Sequence, residues 1–488
     1  MVETSTDPSP KIEANFAAWM RAVVDQHAAA SRALEADPVH DLRVALRRCL
    51  LVAEVFERLD PDPTWRELRK HGHRVFKRLG RLRDTQVLCE WVTRIAPQES
   101  PIAAALRRQL EERETEDRER AREALRRFSR RRWKQCGDRL SNRVTCLPAE
   151  GPAAEYLAVE RWEQAYALHR RAIRSGTHAS FHRARIALKE FRYTAEIFLP
   201  VRSAPWMAKL KKLQDALGEA HDLGLLLAML RSFGKVGSAS ERRRSNRAVA
   251  RLAAARFDAY RRMTRRGAQA RCGSAWRAWR EELPRGADLE AAGMAWLELW
   301  ASFLTPDPAH AKRVTRLALQ LYDQLAAAHL GGAQGNGHTR RVLEIAALAH
   351  DVGRAEGARS HHKRSYRLIS KLEVPLGWTP EEMHLAALVA RYHRRALPQA
   401  RHAEFRRLPH DRRQKVLLLA GILRLANALA SDRDASVEAL KARIEPDRIA
   451  IHAGGYRGAE PFASRVAEAR RLFEIATRRP VAVLPAPA

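Results

Sequence analysis

The chain has 488 residues, with 89 lysines and arginines against 57 aspartates and glutamates, a formal net charge of +32 and a pI near 11.0. That length is too great for one hydrophobic core, and a hydrophobic content of 45% is enough for two or three. Cations exceed acids by 20 before residue 291 and by 12 after it. This excludes a neutral enzyme carrying a basic tail and points both parts toward a polyanion: nucleic acid, an anionic membrane or a phosphate polymer.

Met1 to Ser9 is polar and acidic with no apolar core, so no secretory signal is read there. The longest apolar runs, such as Leu223 to Leu230, are far too short to cross a bilayer, so no membrane partner is expected. The five cysteines (Cys49, Cys89, Cys136, Cys146, Cys272) are odd in number and form no CxxC or CxxH pair, which reads as reduced, packed thiols. The expected setting is cytoplasmic.

Helical periodicity predicts helices over Phe16–Leu34, Val39–Leu59, Thr64–Ile95, Ile102–Leu140, Tyr156–Arg174, Phe181–Leu199, Pro205–Phe233 and Arg242–Leu283. Breaks fall where Pro and Gly cluster, at Asp60–Pro63, Leu147–Pro152 and Gly234–Ser240. After a linker around Leu283–Leu289 the helical pattern continues, is interrupted by a Gly-rich connector at Gly331–His338 that lacks the GK[ST] of a P-loop, and resumes to about Ala430. Two β-like runs, Arg448–Ala453 and Pro480–Leu484, flank a helix at Pro461–Thr477 and predict a small α/β appendage.

One phrase occurs twice. VHDLRVALRRCLLVAEVF, Val39 to Phe56, is echoed 142 positions later by FHRARIALKEFRYTAEIF, Phe181 to Phe198. His40, Arg43 and Arg47 superpose on His182, Arg185 and Lys189, and at roughly 100° per residue this spacing places them within a stripe about 80° wide on one helix face. A second matched segment follows each copy: Lys77–Leu88 and Asp215–Leu226 share Leu79-Gly80 with Leu217-Gly218, and Arg83-Asp84 with His221-Asp222. Tandem helical bundles, about 10–146 and about 153–282, are the economical reading. Gly80 and Gly218 are costly inside helices, so close helix packing is expected across them.

On these residues the first part, 10–282, resembles the conserved-histidine α-helical (CHAD) domain. The resemblance implies two four-helix bundles related by a pseudo-twofold around a basic channel, and binding of inorganic polyphosphate. His40, Arg43, Arg47, Arg48, His182, Arg185, Lys189 and Arg192 would line the channel, with Arg83 and Lys212 extending it. Leu50 departs from the pattern, standing where the second copy has Arg192, so the grip should be lopsided. Polyphosphate offers charges and no bases, so Arg forks, Lys charges and His donors are the chemistry it requires. Single-strand nucleic-acid binders interleave aromatic platforms with their cations, and that pattern is missing here, so nucleic acid is the less favoured partner.

The second part, 291–488, resembles the helical HD-type domain of the exopolyphosphatase and guanosine pentaphosphate phosphohydrolase family. His310, the His350-Asp351 doublet, His361-His362, His393 and the segment LRLANAL carry the resemblance. It implies a divalent metal, Mn or Mg, held by His310, His350, Asp351 and a late carboxylate. Asn427 occupies that late position, and Asp432 is the nearby substitute. Arg354, His361, His362, Lys363, Arg391, His393, Arg394 and Arg395 cluster around the site in sequence and suit anion contact. Two functions follow: polyphosphate binding with the HD-like part as an accessory anion module, or a metal-dependent phosphohydrolase acting on polyphosphate or a phosphorylated nucleotide. Chain-length preference and oligomeric state are not legible.

Overall fold

A computed structural model describes residues 12–95, 100–232, 236–264, 275–330, 337–431 and 437–486. The chain is mainly helical and divides into two compact units, Met1–Ala292 and Gly293–Ala488. Among the described residues no helix is long and apolar enough to cross a membrane, and Cys49, Cys89, Cys136 and Cys146 are free thiols. Cys272 and Asp432 lie outside the described residues, as does most of the Gly-rich connector.

The first unit is built twice. Its first half comprises α1 (Ile12–Arg32), α2 (Ala36–Leu59), α3 (Thr64–Ile95), α4 (Pro101–Arg126) and α5 (Arg130–Val144). The second half comprises α6 (Pro152–Ser175), α7 (His178–Phe198), the single turn α8 (Pro200–Ser203), a 3-10 turn at Ala204–Trp206, α9 (Met207–Ser232), α10 (Ala239–Thr264) and α11 (Ala275–Glu281). In each half four long helices pack in sequence, and the short last helix folds back onto the first. The halves meet where α2 crosses α7 and α3 crosses α9, over a shared apolar cluster that includes Leu88, Trp91, Leu106, Leu110, Leu223 and Leu226.

Local chemistry sets the ends of these helices. After α2, Asp60 accepts hydrogen bonds from Trp65 Nε1 (2.8 Å) and Arg143 Nη1 (2.7 Å), and Asp62 caps Thr64 N (2.9 Å). The single helix expected over Ile102–Leu140 is two helices. Phe128 leaves the helical path to stack on His27 (4.9 Å) and His71 (4.6 Å), and Ser129 then caps α5 by accepting from Arg132 N (3.3 Å).

The helix α12 (Ala287–Leu304) spans the boundary between the units. The second unit continues with α13 (Pro308–Ala327), α14 (Gly337–Ala349), a 3-10 turn at Val352–Glu356, α15 (His361–Lys371), α16 (Pro380–Arg391), α17 (Ala403–Arg406) and α18 (His410–Leu429). The appendage holds β1 (Leu440–Ile444), β2 (Ile449–Ala453), α19 (Phe462–Thr477) and β3 (Val481–Pro485). Strand β1 is absent from the sequence reading. Leu440, Ala442 and Ile444 alternate regularly with Lys441 and Arg443, but the run is only five residues long, and antiparallel pairing with β2 is what marks it as a strand. β2 and β3 pair in parallel, with α19 as the crossover.

α19 lies directly on α18 at Gly421, where an added Cβ would sit 2.7 Å from the Phe473 Cα and 2.8 Å from its backbone nitrogen. A methyl group gains helix propensity worth about 1 kcal/mol, but backbone cannot yield as a side chain does, and overpacking costs about 1–3 kcal/mol. Gly421→Ala is therefore expected to lower the stability of the second unit, measured as an earlier midpoint in urea unfolding.

Candidate functional site

In the first unit the duplicated helices α2 and α7 bring four cations to one groove. Arg43, Arg47, Arg185 and Lys189 are half-buried and share the wall of a cavity of about 410 Å³ with Phe76, Tyr193 and several aliphatic side chains. Arg43 Nη1 donates to the Leu79 carbonyl (3.2 Å) and its guanidinium lies 5.4 Å from the Phe76 ring centre. Arg47 donates to the Tyr193 hydroxyl (2.5 Å) and lies between the Tyr193 and Phe76 rings, at 4.9 and 5.5 Å. The Nε of Arg185 is buried without a hydrogen-bond partner.

An arginine from the neighbouring helix lies over each of Gly80 and Gly218. The atoms nearest to an added Cβ are Arg43 Nη1 at 3.5 Å and Arg185 Nε at 3.8 Å, ordinary van der Waals distances. Each guanidinium thus lies along the bare backbone of α3 or α9, which links the two matched segments of the repeat.

The electrostatics are those of cations held together at a cost. Burial, then Arg185, Arg47 and Arg43, push the Lys189 ammonium down to about 7. Burial and then Arg47 push Arg43 down to about 10. Asp222, within range of Arg185 and Lys189, is itself pushed up to about 6, by burial first and by Asp84 as well. Beside the groove, His182 Nδ1 lies 3.2 Å from His221 Nδ1, and His178 stacks on His221 at 5.3 Å. Burial and then Arg185 lower His221 to about 3.

The remaining expected lining residues stand elsewhere. His40 is exposed at the start of α2 and Lys212 is exposed on α9. Arg83 is paired with Glu90 (3.0 Å). Arg48 bridges α2 to α7 through Glu196 (2.6 Å), and Arg192 donates to Gln214 (3.1 Å) and approaches the same Glu196 (3.9 Å). Sequence reasoning missed His178, His221, Phe76 and Tyr193. Tyr193 stands one helical turn after Lys189, but Phe76 is on a different helix from Arg43 and Arg47, and only the fold brings it to their face.

In the second unit, α13, α14, α15, α16 and α18 carry His310, His350, His361, His393 and Asn427 to one centre around Asp351. Two groups of ligand atoms share that carboxylate: His310, His350 and Asp351; and Asp351, His361 and His393. The second trio is wholly buried. His350, His361 and His393 each donate Nδ1–H to a carbonyl three residues earlier, on Ala347 (2.7 Å), Ala358 (2.9 Å) and Ala390 (2.7 Å). Their Nε2 lone pairs therefore face inward. His361 Nε2 lies 3.0 Å from Asp351 Oδ1 and 3.2 Å from His393 Nε2, and His350 Nε2 is buried without a partner.

Lone pairs this close to each other and to a carboxylate need a cation among them. Burial alone would raise the Asp351 carboxyl; with protons on the rings in place of a metal, the bond from His361, the charges of His350 and His393 and the bond from Arg354 hold it well below the usual range. Burial drives His350 and His393 toward the neutral form that ligates a metal. The donor set thus fits a divalent metal. Its imidazole-rich character suits zinc or iron better than magnesium. Asn427 offers Oδ1 to His310 Nε2 (2.8 Å), so the ring leans on an amide where a carboxylate would supply charge.

A cavity of about 490 Å³ opens over this centre. Arg354, Arg394 and Arg395 line it as expected, and Arg313, Arg424 and Arg465 join them from α13, α18 and α19. His362, Lys363 and Arg391 do not line it; Arg391 stacks on Tyr366 (5.2 Å) and Tyr392 (5.9 Å) instead. Arg424 is buried and spends Nη1 on the carbonyls of Tyr392 (3.3 Å) and Arg395 (3.0 Å), so it holds the wall in place.

These two constructions define a helical protein with a cation-lined groove in one unit and a histidine–aspartate centre in the other. Residues 15–231 match the CHAD domain, and residues 299–452 match the Ppx/GppA phosphatase, domain III. The chain carries both domains in that order. Among solved structures, the CHAD domain from the plant Ricinus communis is 20% identical, with a TM-score of 0.38, covering 59% of this chain and 94% of that one. No curated protein matches the chain.

Two outcomes follow. An anion in the groove would return Lys189 toward its ordinary 10.5, so its binding takes up a proton between about pH 7 and 10. Anion affinity should be greatest below pH 7 and fall as pH rises through that window. Calorimetry in buffers of different ionisation enthalpy should record the uptake, and Lys189→Arg should remove the share that comes from this ammonium. In the second unit, His361→Ala and His393→Ala should each strip metal from the purified protein, and Asn427→Asp should tighten its binding, as read by elemental mass spectrometry after dialysis.

Proposed function

We propose that the chain binds inorganic polyphosphate in the α2–α7 groove. The observation that carries this reading is the convergence of Arg43, Arg47, Arg185 and Lys189, two from each copy of the repeat, on one cavity. Cations so crowded lose their own hydration and gain it back only from a polyanion. The CHAD match supports the same ligand class through the family resemblance. Nucleic acid fits less well, because Arg43 and Arg47 lie over the Phe76 and Tyr193 rings and would compete with a base for their faces. A cytoplasmic setting at polyphosphate granules goes with this reading.

A second activity rests on the histidine–aspartate centre. A metal held by Asp351, His361 and His393, with His350 and His310 beside it, would acidify a bound water for attack on phosphorus. Arg313, Arg394 and Arg395 in the cavity wall would orient the phosphate groups through fork-like hydrogen bonds. The runner-up function is accordingly a metal-dependent phosphohydrolase acting on polyphosphate or a phosphorylated nucleotide. In the first reading the same cavity is an accessory anion site.

Arg43→Ala with Arg185→Ala is expected to cut affinity for long-chain polyphosphate by at least about a hundredfold and to flatten the log K against log salt slope, by roughly 0.7–0.9 per lost contact. Filter binding across a salt series measures both. Unchanged binding would remove the groove assignment, and efficient displacement of polyphosphate by single-stranded DNA would move the assignment to nucleic acid.

A further inference from the structure

The groove is not symmetric, although the helices that form it are copies. Superposing α2 on α7 pairs Arg48 with Glu190, Leu50 with Arg192 and Glu54 with Glu196. On one flank of the crossing, Arg48 and Arg192 both reach Glu196, at 2.6 and 3.9 Å, leaving one guanidinium in excess. On the equivalent flank stand Glu54 and Glu190, with Leu50 in place of a cation. Arg161 from α6 is shared between these two carboxylates, at 2.6 and 3.6 Å. Arg69, which also reaches this flank, is held by Glu57 (2.6 Å). Within the crossing itself two carboxylates share one guanidinium, with Arg66 (3.0 Å) beside Arg69 on Glu57 and His73 in the wall beyond them, and the cavity opens onto this flank: Leu50, Glu54, Ile186 and Glu190 are in its wall, whereas Arg48, Arg192 and Glu196 are not.

A polyanion running along the crossing meets cations in the middle, cations on one flank, and carboxylates over an apolar floor on the other. An internal phosphate carries a fixed negative charge and no proton, so next to Glu54 and Glu190 it is repelled in a partly desolvated pocket. A terminal phosphate differs. Its second ionisation lies near neutrality, so it can retain a P–OH that donates to a carboxylate.

Resting on the polyphosphate reading, we propose that the groove is one-ended and receives the terminus of a linear polyphosphate. The terminal P–OH donates to Glu54 or Glu190, the next phosphates lie across Arg43, Arg47, Arg185 and Lys189, and the chain leaves past Arg48 and Arg192. Glu54, Glu190 and Leu50 are then the residues that choose chain ends over chain interiors.

The test is the loading of the full-length protein on polyphosphates of graded length, in enough salt to screen its other basic surfaces. End recognition gives a number of proteins per chain that stays constant from short to long polymers and stops at one per terminus. Esterifying both termini with a bulky group should then abolish binding. Glu54→Gln with Glu190→Gln keeps hydrogen-bond acceptors for Arg161 and should convert constant loading into loading that grows with length. Loading of the unaltered protein in proportion to length, or undiminished binding of end-blocked chains, overturns the inference while leaving polyphosphate binding intact. No binding at any length overturns the polyphosphate reading itself. Should the double variant fail to fold, the measurements on the unaltered protein decide the matter alone.

Discussion

Mutual repulsion among Arg43, Arg47, Arg185 and Lys189 is the constraint around which the first unit is organised. Four cations do not gather in a half-buried groove unless packing elsewhere offsets the loss of their hydration. That packing comes from two bundles sharing an apolar seam along α3, α4, α9 and α10. It fixes the crossing of α2 and α7 while the groove above stays unsatisfied. The guanidinium groups are steadied by aromatic faces and by the Leu79 carbonyl instead of by enough carboxylates. Their charge therefore remains available to a ligand.

Duplication explains how such a site arises and also what limits it. Two copies of a basic helix related by a pseudo-twofold supply a symmetric set of charges for one chain's worth of sequence. Divergence then acts at the edges: the central positions keep their cations in both copies, whereas the flanking ones hold Arg48 against Glu190 and Leu50 against Arg192. A symmetric groove thereby becomes directional without any change in fold. The histidines diverge in the same way, since His182 meets His221, which in turn stacks on His178, whereas the first copy has Arg83 and Ala36 at those positions.

The second unit solves a different electrostatic problem. His350, His361 and His393 are buried, fixed in orientation by donating Nδ1–H to backbone carbonyls, and turned toward a single carboxylate. A mobile set of rings would relax away from such contacts; these rings are held at the end of α14, the start of α15 and the end of α16. Asn427 stands next to His310 without the negative charge a carboxylate would bring, so a metal at this centre would rest mainly on Asp351, His361 and His393. Arginines from α13, α18 and α19, and from the segments after α14 and α16, line the cavity over it and give it a cationic wall.

Helices, the tandem repeat and the identity of the four central cations were legible in the sequence, because each is a matter of spacing along one chain segment. Periodicity marks a helix face, and two copies mark it twice. The break at Phe128 was not legible, because it goes with ring contacts to His27 and His71 on other helices; nor was β1, whose five-residue alternation is too short to read before β2 pairs with it. The glycines were legible as unusual, but not that an arginine lies over each. By itself the sequence determined which residues could grip a polyanion and which could ligate a metal. The tertiary structure decided which of them meet: that Arg48 and Arg192 are spent on Glu196, that His361 and His393 join Asp351, and that one flank of the groove carries carboxylates. These are through-space relations between helices far apart in the chain, set by how side chains pack and not by their order.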